Sequence, residues 1–130
     1  MSESDDRPVN LDLFSIRFPI TAIASILHRI SGVVLFFGSF VFMYLLDKSL
    51  VDEAGFGEVR MLIADPLTSV VIWCFLVALG YHFIAGIKHM VMDFGYAETF
   101  EAGSRLSVLS IALGIIVAIL FGGWLWFPMF

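Results

Sequence analysis

Three stretches of this chain are apolar for at least the roughly 20 residues that a helix needs to cross a hydrocarbon core of about 30 Å. They occupy residues 20–46, 66–87 and 106–130, and the second carries no formal charge. Of 130 residues, 60% are hydrophobic and only 15% are charged. The mean hydropathy of +0.98 is far above that of a soluble domain. So few charges cannot cover a water-facing surface. The expected fold is all-α and integral to a membrane, with three transmembrane helices at about 20–47, 66–92 and 105–128 behind an N-terminal tail at 1–18.

Local signals mark the helix ends. Pro19 suits a first turn, where a missing N–H breaks no intrahelical bond. Asp65 before Pro66 reads as an N-cap followed by proline at the first helical position. Lys88 and His89 are expected near the C-terminal end of the second helix, where positive charge complements its dipole. Residues 48–64 are acidic, contain Gly55 and Gly57, and are expected to form a loop that could hold one short amphipathic turn. Residues 93–103 are expected to form the second loop.

The positive residues set the orientation. Arg7, Arg17, Arg29, Lys88 and Arg105 fall on one side of such a membrane and Lys48 and Arg60 on the other, so the N-terminus and second loop are expected in the cytoplasm, or in the matrix for an organelle. Trp124 and Trp126 would then anchor the C-terminus at the opposite interface. The polar, acidic residues 1–6 do not resemble the start of a cleavable signal peptide. The net charge of −5 lies mainly in the tail and first loop, and no basic nucleic-acid footprint is present. The single cysteine, Cys74, excludes an internal disulfide and reads as a small apolar packing residue. The Asp93-Phe94-Gly95 triplet matches a kinase signature, but no glycine-rich or catalytic loop accompanies it. Phosphate-binding glycine loops, zinc-type histidine and cysteine spacing and nucleotide folds are likewise missing from the sequence.

The chemistry-bearing residues lie inside the spans. Ser25, His28, Arg29 and Gly32 stand at i, i+3, i+4 and i+7 on the first helix, and so share a face. An arginine within a span costs at least a few kcal/mol, so Arg29 should face protein, a cofactor or water. On the second helix His82 lies six residues before Lys88, roughly 9 Å along the axis. Ser25, His28 and Arg29 lie roughly 8 to 14 Å in from the same side. The two groups therefore share a depth, which suggests one site for a polar-headed, lipid-soluble ligand. Ala78, Ala85 and Gly86 are expected to leave a groove of small side chains beside His82, wide enough for a flat macrocycle whose iron the imidazole could ligate. His89, seven residues on, is about 10 Å away and cannot sandwich the same macrocycle from one straight helix. His28 or another subunit could supply a second ligand. Competing readings remain for each residue. His82 could bond a neighbouring helix, Arg29 could snorkel to headgroups, and Ser25 could bond its own backbone.

Together, RPVNLDLFSIRFPITAIASILHRISG at 7–32 and YHFIAGIKHMVMDFGY at 81–96 resemble the cytochrome b membrane-anchor subunits of succinate dehydrogenase, the C subunits of respiratory complex II. The S-x-x-H-R-x-x-G and H-x(6)-H-x(3)-D motifs occur in the family's order, while the first loop and third helix match only in length and hydropathy. The resemblance implies a single membrane-anchor domain over 1–130, forming half of a six-helix heterodimeric bundle with a second anchor chain, the D subunit. It implies that His82 is an axial ligand of one haem b shared with that partner, so that His82 binds the haem iron. It places Ser25 and Arg29 at a ubiquinone site near the iron–sulfur subunit, and His28 and Arg29 near the haem propionates. A flavoprotein subunit would complete the complex, in a bacterial inner membrane. The chain would then be a non-flavin subunit of succinate:quinone oxidoreductase, not catalytic alone. By that resemblance Ser25 would bond a quinone carbonyl, and Arg29 would place positive charge where negative charge develops. The alternatives are a purely structural anchor, or a small channel or transporter subunit. The second predicts a hydrated passage, yet the outer halves of the helices offer almost no polar residue.

Overall fold

The computed structural model describes residues 16–127. The tail through residue 15, Arg7 of the motif included, and the expected end of the third span at 128 lie outside the described residues. The described chain forms α1 (Ile20–Val51), α2 (Glu53–Ala64), α3 (Pro66–Asp93) and α4 (Phe100–Trp126), and contains no strand. α1, α3 and α4 are long and apolar enough to cross a membrane. Their arrangement makes this a multi-pass membrane protein. α3 packs against both α1 and α4, and α1 also touches α4.

Residues 48–64 are not a loop. α1 continues through Lys48 to Val51, and α2 follows with Asp52 as its N-cap, Asp52 Oδ1 accepting the Gly55 N–H at 2.6 Å. The glycines that suggested a loop have another use at Gly55: a Cβ there would run into the Lys48 carbonyl oxygen, so Gly55 lets α2 fold tightly against the end of α1. A Lys48–Glu58 ion pair at 2.5 Å spans the same corner, exposed and so of small energetic weight. At 12 residues α2 is too short to span. It packs against α1 and α3, with Val59 buried.

One residue joins α2 to α3. Asp65 Oδ2 accepts the Thr68 N–H at 3.1 Å and Pro66 occupies the first turn, as the Asp-Pro pair predicts. The buried Ser69 hydroxyl donates back to the Ile63 carbonyl at 2.6 Å. Pro19 caps α1 rather than opening it: its extended backbone (ψ 152°) turns the carbonyl toward the Ala22 and Ile23 N–H groups.

The Asp93-Phe94-Gly95 triplet is a helix stop. Gly95 adopts φ +83°, its N–H reaches the Met92 carbonyl at 2.9 Å, and the Tyr96 N–H reaches the Val91 carbonyl at 3.2 Å. That paired closure satisfies two terminal carbonyls of α3. Thr99 then caps α4, accepting the Ala102 N–H at 3.3 Å.

Little apolar bulk is buried within this chain. Ala24, Val59, Tyr81 and Ala85 are its buried hydrophobic residues among those described. Small residues instead let the helices approach: the buried face of α4 is Gly103, Ser107, Ser110, Gly114 and Gly122. Ser107 and Ser110 bond back to the Gly103 and Leu106 carbonyls, both at 2.8 Å, so their hydroxyls are satisfied within α4. A Cβ at Gly114 would sit 2.7 Å from the Tyr81 ring, and one at Gly80 would sit 2.5 Å from Val117. Phe36, Phe37 and Phe40 on α1 and Phe83 on α3 are exposed. So is Cys74.

Candidate functional site

The three histidines of the sequence converge between α1 and α3. His28 of α1 stacks on His82 of α3, ring centroids 4.2 Å apart and planes inclined by 28°. His28 also lies 5.1 Å from His89, tilted by 36°. His82 and His89 are two helical turns apart, and His28 inserts between them from the opposite helix. The shared depth expected of His28 and His82 is thus direct contact. The three rings pack side by side, and among the described residues no cluster of three histidine, cysteine or acidic side chains is arranged to hold a metal ion.

Two small residues of α1 seat the His82 ring. Its Nδ1 lies 3.0 Å from the Ser31 hydroxyl and 3.2 Å from the His28 carbonyl. The Ser31 hydroxyl gives its own proton to that carbonyl at 2.7 Å, so toward the imidazole it can only accept. Both oxygens therefore favour the tautomer with the proton on Nδ1, leaving the lone pair on Nε2. His82 Nε2 has no hydrogen-bond partner among the described residues. At Gly32 a Cβ would stand 3.3 Å from His82 Cε1, so the absence of a side chain gives the ring its place against α1.

Immediately before His82, Tyr81 is buried, and its hydroxyl donates to the Ala24 carbonyl at 2.9 Å, clamping α3 to α1 beside Ser25. Gly114 of α4 makes room for the Tyr81 ring. The groove of small residues divides: Ala85 is packed inside, whereas a Cβ at Gly86 would meet nothing within 4 Å. The open side of α3 thus begins one turn beyond His82. His28 Nε2 is buried and has no hydrogen-bond partner among the described residues.

The polar face expected on α1 also divides. His28 and Gly32 contact His82, while Arg29 is exposed and Ser25 half-buried on the adjoining flank. Lys88 is not a dipole-complementing residue at a helix end: the last turn of α3 carries no basic side chain, and Lys88 is only 7% exposed. Its ammonium turns into the α3–α4 interface toward Ser107 Oγ at 3.4 Å. Ser31 and Tyr81 carried no sequence prediction. Ser31 stands three residues after His28, within reach of its carbonyl, which is the one local signal that could have marked it. The partner of Tyr81 lies 57 positions away and leaves no local signal.

A membrane-embedded histidine cluster flanked by an exposed arginine, on three spanning helices, defines a transmembrane subunit with a polar site inside its bundle. Residues 3–122 match the family model described as Succinate dehydrogenase/Fumarate reductase transmembrane subunit. The succinate dehydrogenase cytochrome b556 subunit of Coxiella burnetii is 36% identical over 121 residues, 92% of this chain and 97% of that one. The Paracoccus denitrificans subunit of the same name is 29% identical over 88% of each chain, and that of Rickettsia typhi is 31% identical over 74% of each. The chain belongs to the family of succinate dehydrogenase/fumarate reductase transmembrane subunits.

Proposed function

We propose that this chain is the haem b-binding membrane anchor of a succinate:quinone oxidoreductase, with His82 as one axial ligand of the iron. The observation that carries the reading is the state of His82: Nδ1 is engaged by two oxygens of α1, which leaves Nε2 with its lone pair. Iron-ligating histidines commonly donate their other ring N–H to a carbonyl in this way, which fixes both tautomer and ring orientation. The residues present fit the group. Gly86 leaves space on the same side of α3, and the buried, unpartnered His28 Nε2 offers a polar contact to a propionate, as does the neighbouring Arg29. A bound b-type haem supplies a one-electron redox centre, whose potential follows its ligands and burial. The names of the relatives, cytochrome b556 subunits, support the same assignment.

The partner second anchor (D) subunit would bring the other axial ligand and complete a six-helix bundle. It would cover apolar surface that this chain leaves exposed, Phe36, Phe37 and Phe83 among it. Flavoprotein and iron–sulfur subunits would dock on the cytoplasmic side of a bacterial inner membrane, where residues 94–99 and the start of α1 would lie. On that side Ser25 would donate to a carbonyl oxygen of ubiquinone. Arg29, exposed beside it, would stabilise the negative charge that develops as that oxygen is reduced. Residues 1–130 form one membrane-anchor domain in this reading.

The reading is tested on the complex purified through a tag on this chain. The reduced-minus-oxidised optical spectrum should show a b-type haem in the wild type, and His82→Ala should shift or abolish it while the subunits still co-purify. Arg29→Ala should lower quinone reduction at least tenfold while assembly and succinate oxidation with an artificial acceptor persist. An unchanged haem spectrum in His82→Ala, or normal quinone kinetics in Arg29→Ala, would refute the corresponding assignment.

A further inference from the structure

Three places in the fold carry polar groups beyond the roles assigned above: Ser31 beneath His82, Lys88 between α3 and α4, and the corner formed by α2. Lys88 lines an apolar groove of about 200 Å³ with Ile84, Ile87, Val91 and Leu113, but its ammonium is engaged by the Ser107 hydroxyl oxygen at 3.4 Å, so no unpartnered polar group marks a ligand there. The α2 corner is lined by Lys48 and Glu58, which pair with each other. Ser31 differs, because its hydroxyl has one proton and that proton is committed.

We infer that Ser31 is the positioning residue of His82, its hydroxyl oxygen accepting the Nδ1 proton and thereby setting the orientation of the ring and the electron density at Nε2. The inference rests on the reading of His82 as an iron ligand. Ser31 is only 5% exposed, so its oxygen has little access to water. Its proton lies along the 2.7 Å bond to the His28 carbonyl, which turns a lone pair toward His82 Nδ1 at 3.0 Å. The same carbonyl stands 3.2 Å from Nδ1, so the imidazole N–H is shared between two acceptors that themselves share a hydrogen bond. Gly32 lets the ring approach α1 at the same edge, where a Cβ would stand 3.3 Å from Cε1 and 3.7 Å from Nδ1. Contacts from His28, Ser31 and Gly32 on one turn of α1 thus fix a ring carried by α3. An accepted Nδ1 proton makes an imidazole more electron-donating, which favours ferric over ferrous iron and lowers the midpoint potential. Weakening that acceptance should raise it.

Threonine and valine have the same shape, and only threonine keeps the acceptor. The experiment therefore compares Ser31→Thr and Ser31→Val in the intact complex, by redox titration of the haem and by electron paramagnetic resonance of its oxidised low-spin form. The Thr variant should keep the wild-type midpoint and resonance positions. In the Val variant the midpoint should shift upward and the resonances move, or the haem be lost. Equal midpoints and spectra in the two variants would overturn the inference, as would loss of haem from both, since bulk rather than the oxygen would then be what matters. His82→Ala in the same preparation separates this result from the parent reading. If it leaves the haem unchanged, His82 is not the ligand; if it removes the haem while Thr and Val agree, the ligand stands and Ser31 has no part in setting it.

Discussion

Tyr81 couples three helices through a single side chain. Its hydroxyl donates to the Ala24 carbonyl of α1 at 2.9 Å, and its ring occupies the space that Gly114 leaves on α4. Gly114→Ala would place a Cβ 2.7 Å from the ring, against a residue locked at its far end by the hydrogen bond. The ring must then shift, either breaking that bond or parting α3 from α4. The expected cost is about 1–3 kcal/mol, the usual range for overpacking a filled interior. It should be read as a lowered denaturation midpoint of the detergent-solubilised complex. Because His82 is the next residue, the same variant should also broaden the haem absorption band; an unchanged midpoint would show that the Tyr81 clamp is dispensable.

At the scale of the element, α2, α3 and α4 each start on a side-chain cap. Asp52, Asp65 and Thr99 each accept a backbone N–H at a helix start, and Gly95 closes α3 in the left-handed region. A Cβ at Gly95 would meet only Glu98 Oε1 at 3.4 Å, so the burden of a substitution there is conformational rather than steric contact with a neighbour. Gly95→Ala should destabilise the end of α3 by about 1–2 kcal/mol, the cost of an L-residue in that region. Faster proteolysis within residues 94–99, with the spans intact, would report it. Gly57, where a Cβ meets nothing, provides the control, because alanine there should leave stability unchanged or improve α2 by its higher helix propensity.

For the whole molecule the governing fact is how little of its apolar surface it buries. Phe36, Phe37, Phe40 and Phe83 all face outward, and the interior is a seam of glycine, alanine and serine. In a bilayer such a surface meets lipid or a second anchor chain, so the fold is complete only in that setting. The spans place residues 94–99 on one side of the membrane and α2 on the other. In a Cys74→Ala background, Glu98→Cys should therefore react with an impermeant maleimide only in inverted membrane vesicles. Glu53→Cys should react only in right-side-out spheroplasts, and the reverse pattern would invert the orientation drawn from the basic residues.

The sequence by itself determined the three spans and several of their ends, because hydropathy over 20 residues and an Asp-Pro pair act locally and need no partner. It also pointed to His28 and His82 at one depth, because helical rise converts residue counts into distance. It misread residues 48–64 as a loop. Glycine usually interrupts helices, and the reason for Gly55 lies in the backbone of Lys48, a contact that exists only once α2 folds back on α1. It also misread Lys88, since periodicity reports that a residue lies on a face but not which neighbour that face meets. Only the tertiary structure inserted His28 between His82 and His89, turned Arg29 to the open flank, and set the Ser31 oxygen beneath the His82 ring. Those positions depend on the rotation of one helix about its axis against another. In a chain apolar on nearly every side, that angle is decided by a few glycines and serines, where close packing and hydrogen bonds outweigh a hydrophobic contrast that lipid removes.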